Sequence, residues 1–261
     1  MMDGLRLLSK HRRILFATTL TDVKSRYRGT FFGMAWTLIY PLLFLGLYAA
    51  IYLMIFQVRL PNYSTFEYIL IVFSGLIPFL GFAESLGTGV GSVQANKNLI
   101  KNTMFPIELI PVKAVLSSCV TMTVGLGLLL VVLWLSGTIL PSQFLVPVIF
   151  ILQLVFMIGF IWILSALNIF FQDLAQITGA LILFLMLVSP IAYTKEMIPP
   201  ALMPLMYPNP LYYMIMLYRG VLVIGEFPMD LFGIYLIISI GTFFLGYYVF
   251  SRLMPLFADY V

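Results

Sequence analysis

From Ala114 to Gln172 the sequence runs for 59 residues without a single Asp, Glu, Lys, Arg or His. A hydrocarbon layer about 30 Å thick is crossed by about 20 apolar residues in a helix, so this run is too long for one crossing and right for two. Gly137-Thr138-Ile139-Leu140-Pro141-Ser142 divides it, and a break carrying Gly and Pro makes a short hairpin turn. The rest of the chain agrees: 62% of its 261 residues are hydrophobic and 9% charged, with a mean hydropathy of +1.07. Soluble domains carry roughly 25% charged residues. Disorder is excluded by 23 Phe, 15 Tyr and 3 Trp, and a disulfide scaffold by the single Cys119. The chain reads as an integral membrane protein.

Charge position sets its orientation. Of 14 Lys and Arg, seven precede residue 33: Arg6, Lys10, Arg12, Arg13, Lys24, Arg26 and Arg28. Such clustering beside a first apolar segment places the N-terminus in the cytoplasm. The apolar run from about residue 31 is far longer than the core of a cleavable signal peptide. Within residues 7–18, Leu7, Leu8, His11, Ile14, Leu15 and Thr18 share one helical face while Lys10, Arg12 and Arg13 lie off it, the pattern of a helix lying in the membrane surface.

The expected fold is all-α and membrane-embedded, with six transmembrane helices. The spans are expected near 33–56 (kinked at Pro41), 66–90, 112–136, 143–171, 174–194 and 231–250. Residues 1–30 form a cytoplasmic amphipathic segment and 31–261 the transmembrane domain. Asn96 to Lys113, with Lys97, Lys101, Lys113 and Glu108, is the only polar interior stretch, and parity makes it cytoplasmic. Asp173 marks a second cytoplasmic turn. Five prolines (Pro199, Pro200, Pro204, Pro208, Pro210) fall within twelve residues, too many for a lipid-exposed crossing. Residues 197–225 are therefore expected as external re-entrant helices, with Asn209 as N-cap, Pro210 at the first helical position and a stop at Gly225. On this layout both termini are cytoplasmic, with 11 cations inside and three outside (Arg59, Lys195, Arg219). A seven-span layout, in which the proline-rich segment crosses, is the alternative.

The chemistry that is missing narrows the function. His11 is the only histidine and lies outside the spans, so neither a Ser–His dyad nor a His-ligated metal site can form in the membrane. Gly87-Thr88-Gly89-Val90-Gly91 lacks the Lys-Ser/Thr of a phosphate-binding loop and reads as a small face for close helix packing. No catalytic or metal-binding residue is expected, and Cys119 reads as a packing residue. Glu84 is the one acid well inside the apolar pattern: either a proton-relay candidate, or a carboxylate bonded across a helix interface or snorkelling near the outer face.

Four segments together resemble the permease subunits of ABC-2 exporters, especially those that export polysaccharides such as lipid-linked O-antigen. They are Arg26-Tyr27-Arg28-Gly29-Thr30-Phe31-Phe32-Gly33-Met34-Ala35-Trp36 with Pro41; Asn98-Leu99-Ile100-Lys101 followed by Phe105-Pro106 and Pro111; Phe170-Phe171-Gln172-Asp173-Leu174 followed by Ser189-Pro190-Ile191-Ala192-Tyr193; and Asn209-Pro210-Leu211-Tyr212-Tyr213 with Tyr218-Arg219. They cover nearly the whole chain in the family's order. Two departures are visible: Gln172 stands where an Arg commonly precedes the Asp, and Phe32 where Leu is usual.

The resemblance implies a homodimer at the inner (cytoplasmic) membrane, each copy bound to a separate ABC ATPase that holds ATP and Mg; this chain itself carries no cofactor and binds no nucleic acid. It implies that 96–106 couples to the ATPase through Asn98, Leu99, Lys101 and Phe105. It also implies that a lipid-linked glycan enters beside the N-terminal helix at Lys24, Arg26, Tyr27 and Arg28, the three cations attracting a lipid diphosphate; the alternative is that they only set topology and anchor the helix to membrane lipids. Tyr193, Tyr207, Tyr212, Tyr213 and Tyr218 are expected as a glycan-stacking outer gate, the alternative being an interfacial tyrosine belt. Arg219 is expected either to cap backbone carbonyls, to meet substrate phosphate, or to snorkel to lipid headgroups. Competing functions are an ABC-2 permease for drugs or other lipids, a proton-coupled transporter using Glu84, and, least supported, a membrane enzyme.

Overall fold

The computed structural model describes residues 3–51, 64–97, 106–193 and 203–260, and every regular element among them is helical. The chain opens with α1 (Asp3–Lys10) and α2 (Arg12–Arg26), joined at His11, whose Nδ1 lies 3.1 Å from the Leu7 carbonyl. The surface face expected over 7–18 is thus broken into two helices. The buried stripe of α2 is Leu15, Thr19 and Val23, one residue per turn, and it continues past residue 18. A turn with Gly29 at φ +82° leads through a 3₁₀ turn (Gly33–Ala35) into α3 (Trp36–Ile51), which contains Pro41.

The central helix is α4 (Thr65–Gly89). It begins with a capping box: Ser64 Oγ accepts from the Glu67 amide at 3.2 Å, and Glu67 Oε2 accepts from the Ser64 amide at 2.7 Å. Two otherwise orphaned donors are satisfied reciprocally. Ser64→Ala is therefore expected to cost about 1 kcal/mol, read as a lower thermal midpoint of the detergent-solubilised protein, with Ser64→Asp close to wild type. After a turn, α5 (Ser92–Ala95) follows.

Next come α6 (Leu109–Leu135) and α7 (Val146–Phe170), the two helices of the charge-free run. Between them lie Gly137 at φ +84° and a 3₁₀ turn, Pro141–Leu145. Gln143 holds this hairpin: its carbonyl accepts from the Trp134 indole at 2.8 Å, and its amide donates to the carbonyls of Thr138 at 3.0 Å and Leu222 at 3.1 Å. The chain continues with α8 (Asp173–Val188), α9 (Met203–Met206), α10 (Pro210–Arg219), a π turn (Gly220–Ile224), α11 (Met229–Leu253), a 3₁₀ turn (Met254–Leu256) and α12 (Phe257–Tyr260).

Among the described residues, five helical stretches are long and apolar enough to cross a membrane: Gly33–Ile51, Thr65–Gly89, Leu109–Leu135, Pro141–Phe170 and Met229–Leu256. Asp173–Val188 and Pro210–Ile224 are apolar but shorter. The helix expected over 174–194 stops at Val188, because Pro190 pushes the residue before it out of helical geometry and Ser189 is extended at ψ 144°. α4 is 83% buried over its most apolar window and α3 only 12%, so α4 is the hub and α3 is peripheral.

The most extensive pairings are α7 with α11 and α4 with α6. Small residues set both. A β-carbon on Gly159 would collide with the backbone of Thr242 and Phe243, and one on Gly246 with the backbone of Gly159 itself. Lipid offers no hydrophobic drive for helix association, so close backbone approach through glycine is how apolar helices gain dispersion energy.

Candidate functional site

Two groups of polar side chains sit at opposite ends of α4, one near Glu84 and one near Tyr68. Sixteen helical residues separate these positions, about 24 Å of rise.

At the Glu84 end, α2 lies across the bundle on two ion pairs. Arg26, the last residue of α2, pairs with Glu84 of α4. Asp22, one turn earlier, takes Lys113 Nζ at 3.1 Å and the Ser117 hydroxyl at 3.1 Å, both from α6. Both pairs are partly exposed, and such pairs contribute little to stability singly; their effect is to fix where α2 sits. Glu84 is thus a carboxylate bonded across a helix interface. Its partner is one of the cations expected to receive substrate.

Below this junction lies a cavity of about 430 Å³ between α3, α4 and α6. Tyr27 and Glu84 line it at the α2 end. Trp36, Tyr40 and Phe44, spaced four apart on α3, form one wall, and Tyr40 stacks on Phe44 with centroids 6.4 Å apart. Ile77, Leu80 and Gly81 of α4 and Met122 and Gly125 of α6 form the others. The gap between α4 and α6 is narrow: a β-carbon on Gly81 would overlap Met122, and one on Gly125 would lie 3.0 Å from Ile77. An aromatic, almost wholly apolar pocket with one carboxylate and one phenol at its rim has the make-up of a ligand site. Lys24 and Arg28 are exposed on either side of Arg26, with no ion pair among the described residues.

At the Tyr68 end, Arg219 is buried at 2% exposure. It donates to the carbonyls of Pro190 at 2.8 Å, Ile191 at 3.1 Å and Tyr193 at 3.1 Å. Of the three expectations for this residue, carbonyl capping is what its geometry displays. Asn209 completes the knot: its side-chain Oδ1 accepts from the Leu211 amide at 3.0 Å, capping α10, and its Nδ2 donates to Ser189 Oγ at 3.1 Å. Tyr68 donates to the Ala192 carbonyl.

The tyrosines expected at an outer gate are distributed differently. Tyr212, Tyr213 and Tyr218 are buried inside the chain, and Tyr193 is partly buried with its hydroxyl on the Val188 carbonyl at 2.6 Å. Tyr213 donates to the Tyr207 carbonyl at 2.8 Å; Tyr207 alone is widely exposed, at 59%. The physical reason is that α10 packs between α4 and α11, so most of its faces are covered. Asp173 begins α8, where a negative charge meets the positive end of the helix dipole. Asn98, Leu99, Lys101 and Phe105 lie outside the described residues, and no cluster of His, Cys, Asp or Glu suited to a metal is found among the described ones.

Sequence reasoning missed both ion pairs and the α3 aromatic wall. One signal was present. Asp22 and Arg26 are one turn apart and flank the stripe of Leu15, Thr19 and Val23, and charged residues beside a buried face need partners.

Among the described residues, helices alone make up the regular structure and five of them are of membrane length, which makes this a polytopic membrane protein. Its residues 14–223 match the ABC-2 type transporter family. The chain belongs to that family and is an ABC-2 permease. It is 30% identical over 248 residues to the "O-antigen export system permease protein RfbA" of Klebsiella pneumoniae, covering 94% of each chain. It is also 29% identical over 195 residues to the protein of the same name from Myxococcus xanthus, covering 74% of this chain and 73% of that one.

Proposed function

We propose that this permease moves a lipid-linked polysaccharide, of the O-antigen, capsule or teichoic acid kind, across the cytoplasmic membrane, driven by a separate ABC ATPase. The carrying observation is the near-full-length likeness to permeases of Klebsiella pneumoniae named for O-antigen export. The cavity supports it: an apolar, aromatic slot suits a hydrocarbon anchor and the C–H faces of sugar rings, and the cations of α2 suit its phosphates.

In this reading two copies assemble, both termini are cytoplasmic and α8 serves as the fifth of six crossings. Asn98, Leu99, Lys101 and Phe105 seat on the ATPase, and the glycan enters beside Lys24, Arg26, Tyr27 and Arg28. The aromatic wall of α3 takes the sugar-stacking role expected of the buried tyrosines of α10, leaving Tyr207 as the exposed one on the far side.

The test is reconstitution with the ATPase in vesicles loaded with lipid-linked glycan. ATP-dependent movement is expected, and Leu99→Ser with Lys101→Glu is expected to cut export at least tenfold while ATP hydrolysis persists. Export that proceeds without any ATPase, and falls on Glu84→Gln, would instead establish a proton-coupled carrier. Movement of drugs or simple lipids but no glycan would leave only the broader permease role.

A further inference from the structure

We infer that the Arg26–Glu84 junction is an anion site occupied by the chain's own carboxylate, and that Glu84 selects a multiply charged lipid phosphate over ordinary phospholipid. This rests on the lipid-linked substrate proposed above and deepens it.

Three features meet at one place. The guanidinium of Arg26 is held by Glu84, a carboxylate that lines the cavity. A guanidinium fork accepts carboxylate and phosphate oxygens with the same geometry. Tyr27, next to Arg26, also lines the cavity, whose remaining walls suit one hydrocarbon chain. Lys24 and Arg28 add two exposed positive charges, while Asp22, the one acid of α2, is engaged by Lys113 and Ser117. The end of α2 and the turn after it thus carry three cations within five residues, one of them paired with a carboxylate.

The bilayer presents an enormous excess of singly charged phosphodiesters, any of which would occupy an unguarded arginine. With Glu84 in place, an incoming anion must displace a resident charge. A phosphodiester exchanges one negative charge for another and gains little. A diphosphate brings at least two, engages Lys24 and Arg28 as well, and repels the released carboxylate. Discrimination by a repulsive element is the ordinary route to specificity between chemically similar ligands. No other acid lies on α4 beyond its first turn, so this function falls on Glu84 alone.

The full-length chain in phosphatidylcholine nanodiscs is titrated with farnesyl diphosphate, with farnesol as control and phosphatidylglycerol as competitor. Fluorescence of Trp36 on the cavity wall reports occupancy, since Trp134 and Trp162 are hydrogen-bonded to Gln143 and to the Glu108 carbonyl instead. The wild type is expected to bind the diphosphate with little competition from phosphatidylglycerol. Glu84→Gln is expected to make phosphatidylglycerol about tenfold more competitive, and Glu84→Asp to fall between. Arg26→Gln is expected to weaken diphosphate binding at least tenfold, and adding Glu84→Gln to it should change nothing further. Unchanged selectivity in Glu84→Gln overturns the inference, as does an equal shift in both backgrounds or a wild type that binds no diphosphate. Intact glycan export alongside any of these outcomes sinks the role of Glu84 while the transport reading stands.

Discussion

Gly246→Leu is expected to abolish accumulation of folded permease. α7 and α11 touch through their backbones at Gly159 and Gly246, with no side chain in between to yield. A β-carbon at Gly246 would fall within 3.0 Å of the oxygen, carbonyl carbon and Cα of Gly159, a separation that only a shift of a whole helix can relieve. Overpacking a core that can adjust costs about 1–3 kcal/mol, and here the most extensive helix pair in the chain would have to part. Rings packed at tilted angles around the same seam, Trp162 against Phe243 at 5.2 Å and against Tyr247 at 5.5 Å, would lose contact together. Monodispersity and yield in detergent provide the measurement. Gly241→Ala on the same helix is the control, because nothing lies within 4 Å of the added carbon, and it should behave as wild type. A well-folded Gly246→Leu protein would mean that the two helices do not cross there.

Arg219→Met should be nearly as damaging, by a different route. The side chain is similar in length and apolar, so packing is largely kept while the donors to Pro190, Ile191 and Tyr193 disappear. Each buried carbonyl left without a partner costs about 1–3 kcal/mol, and three are lost at once. The segment they belong to follows the extended Ser189 and has no helical ladder to fall back on. Arg219→Lys places one ammonium where a fork reaches three acceptors, so it should recover only part of the loss. A fall in thermal midpoint of more than 5 °C for Arg219→Met, on the scale of about 2–4 °C per kcal/mol for a chain of this size, together with loss of export, is the expected result. A midpoint within 1 °C of wild type would show that these carbonyls find other partners.

Features governed by local chemistry could be read directly from the residues. The charge-free run appears as α6 and α7 parted at Gly137, and Asn209-Pro210 caps α10 as the side chain and ring geometry require. The chain turns at Gly225 because φ +88° suits a residue without a β-carbon. Features governed by distant partners were not legible. Arg26 and Glu84 are 58 residues apart, and nothing in their spacing couples them. The tyrosines of α10 look like a belt in one dimension because their number, not their direction, is visible; burial between α4 and α11 is a tertiary outcome. Helix α8 ended early for a reason written plainly at Ser189-Pro190, where hydropathy alone carries the span on to Thr194.

That early end matters for the lipid as much as for the protein. A helix of 16 residues rises only about 24 Å, some 6 Å short of an average hydrocarbon layer. Where α8 meets lipid, the acyl chains must shorten or tilt to meet it, producing a shallow dimple in the membrane. If the permease carries the polysaccharide proposed above, a path beside that dimple crosses less oil than one beside the longer helices such as α4 or α7.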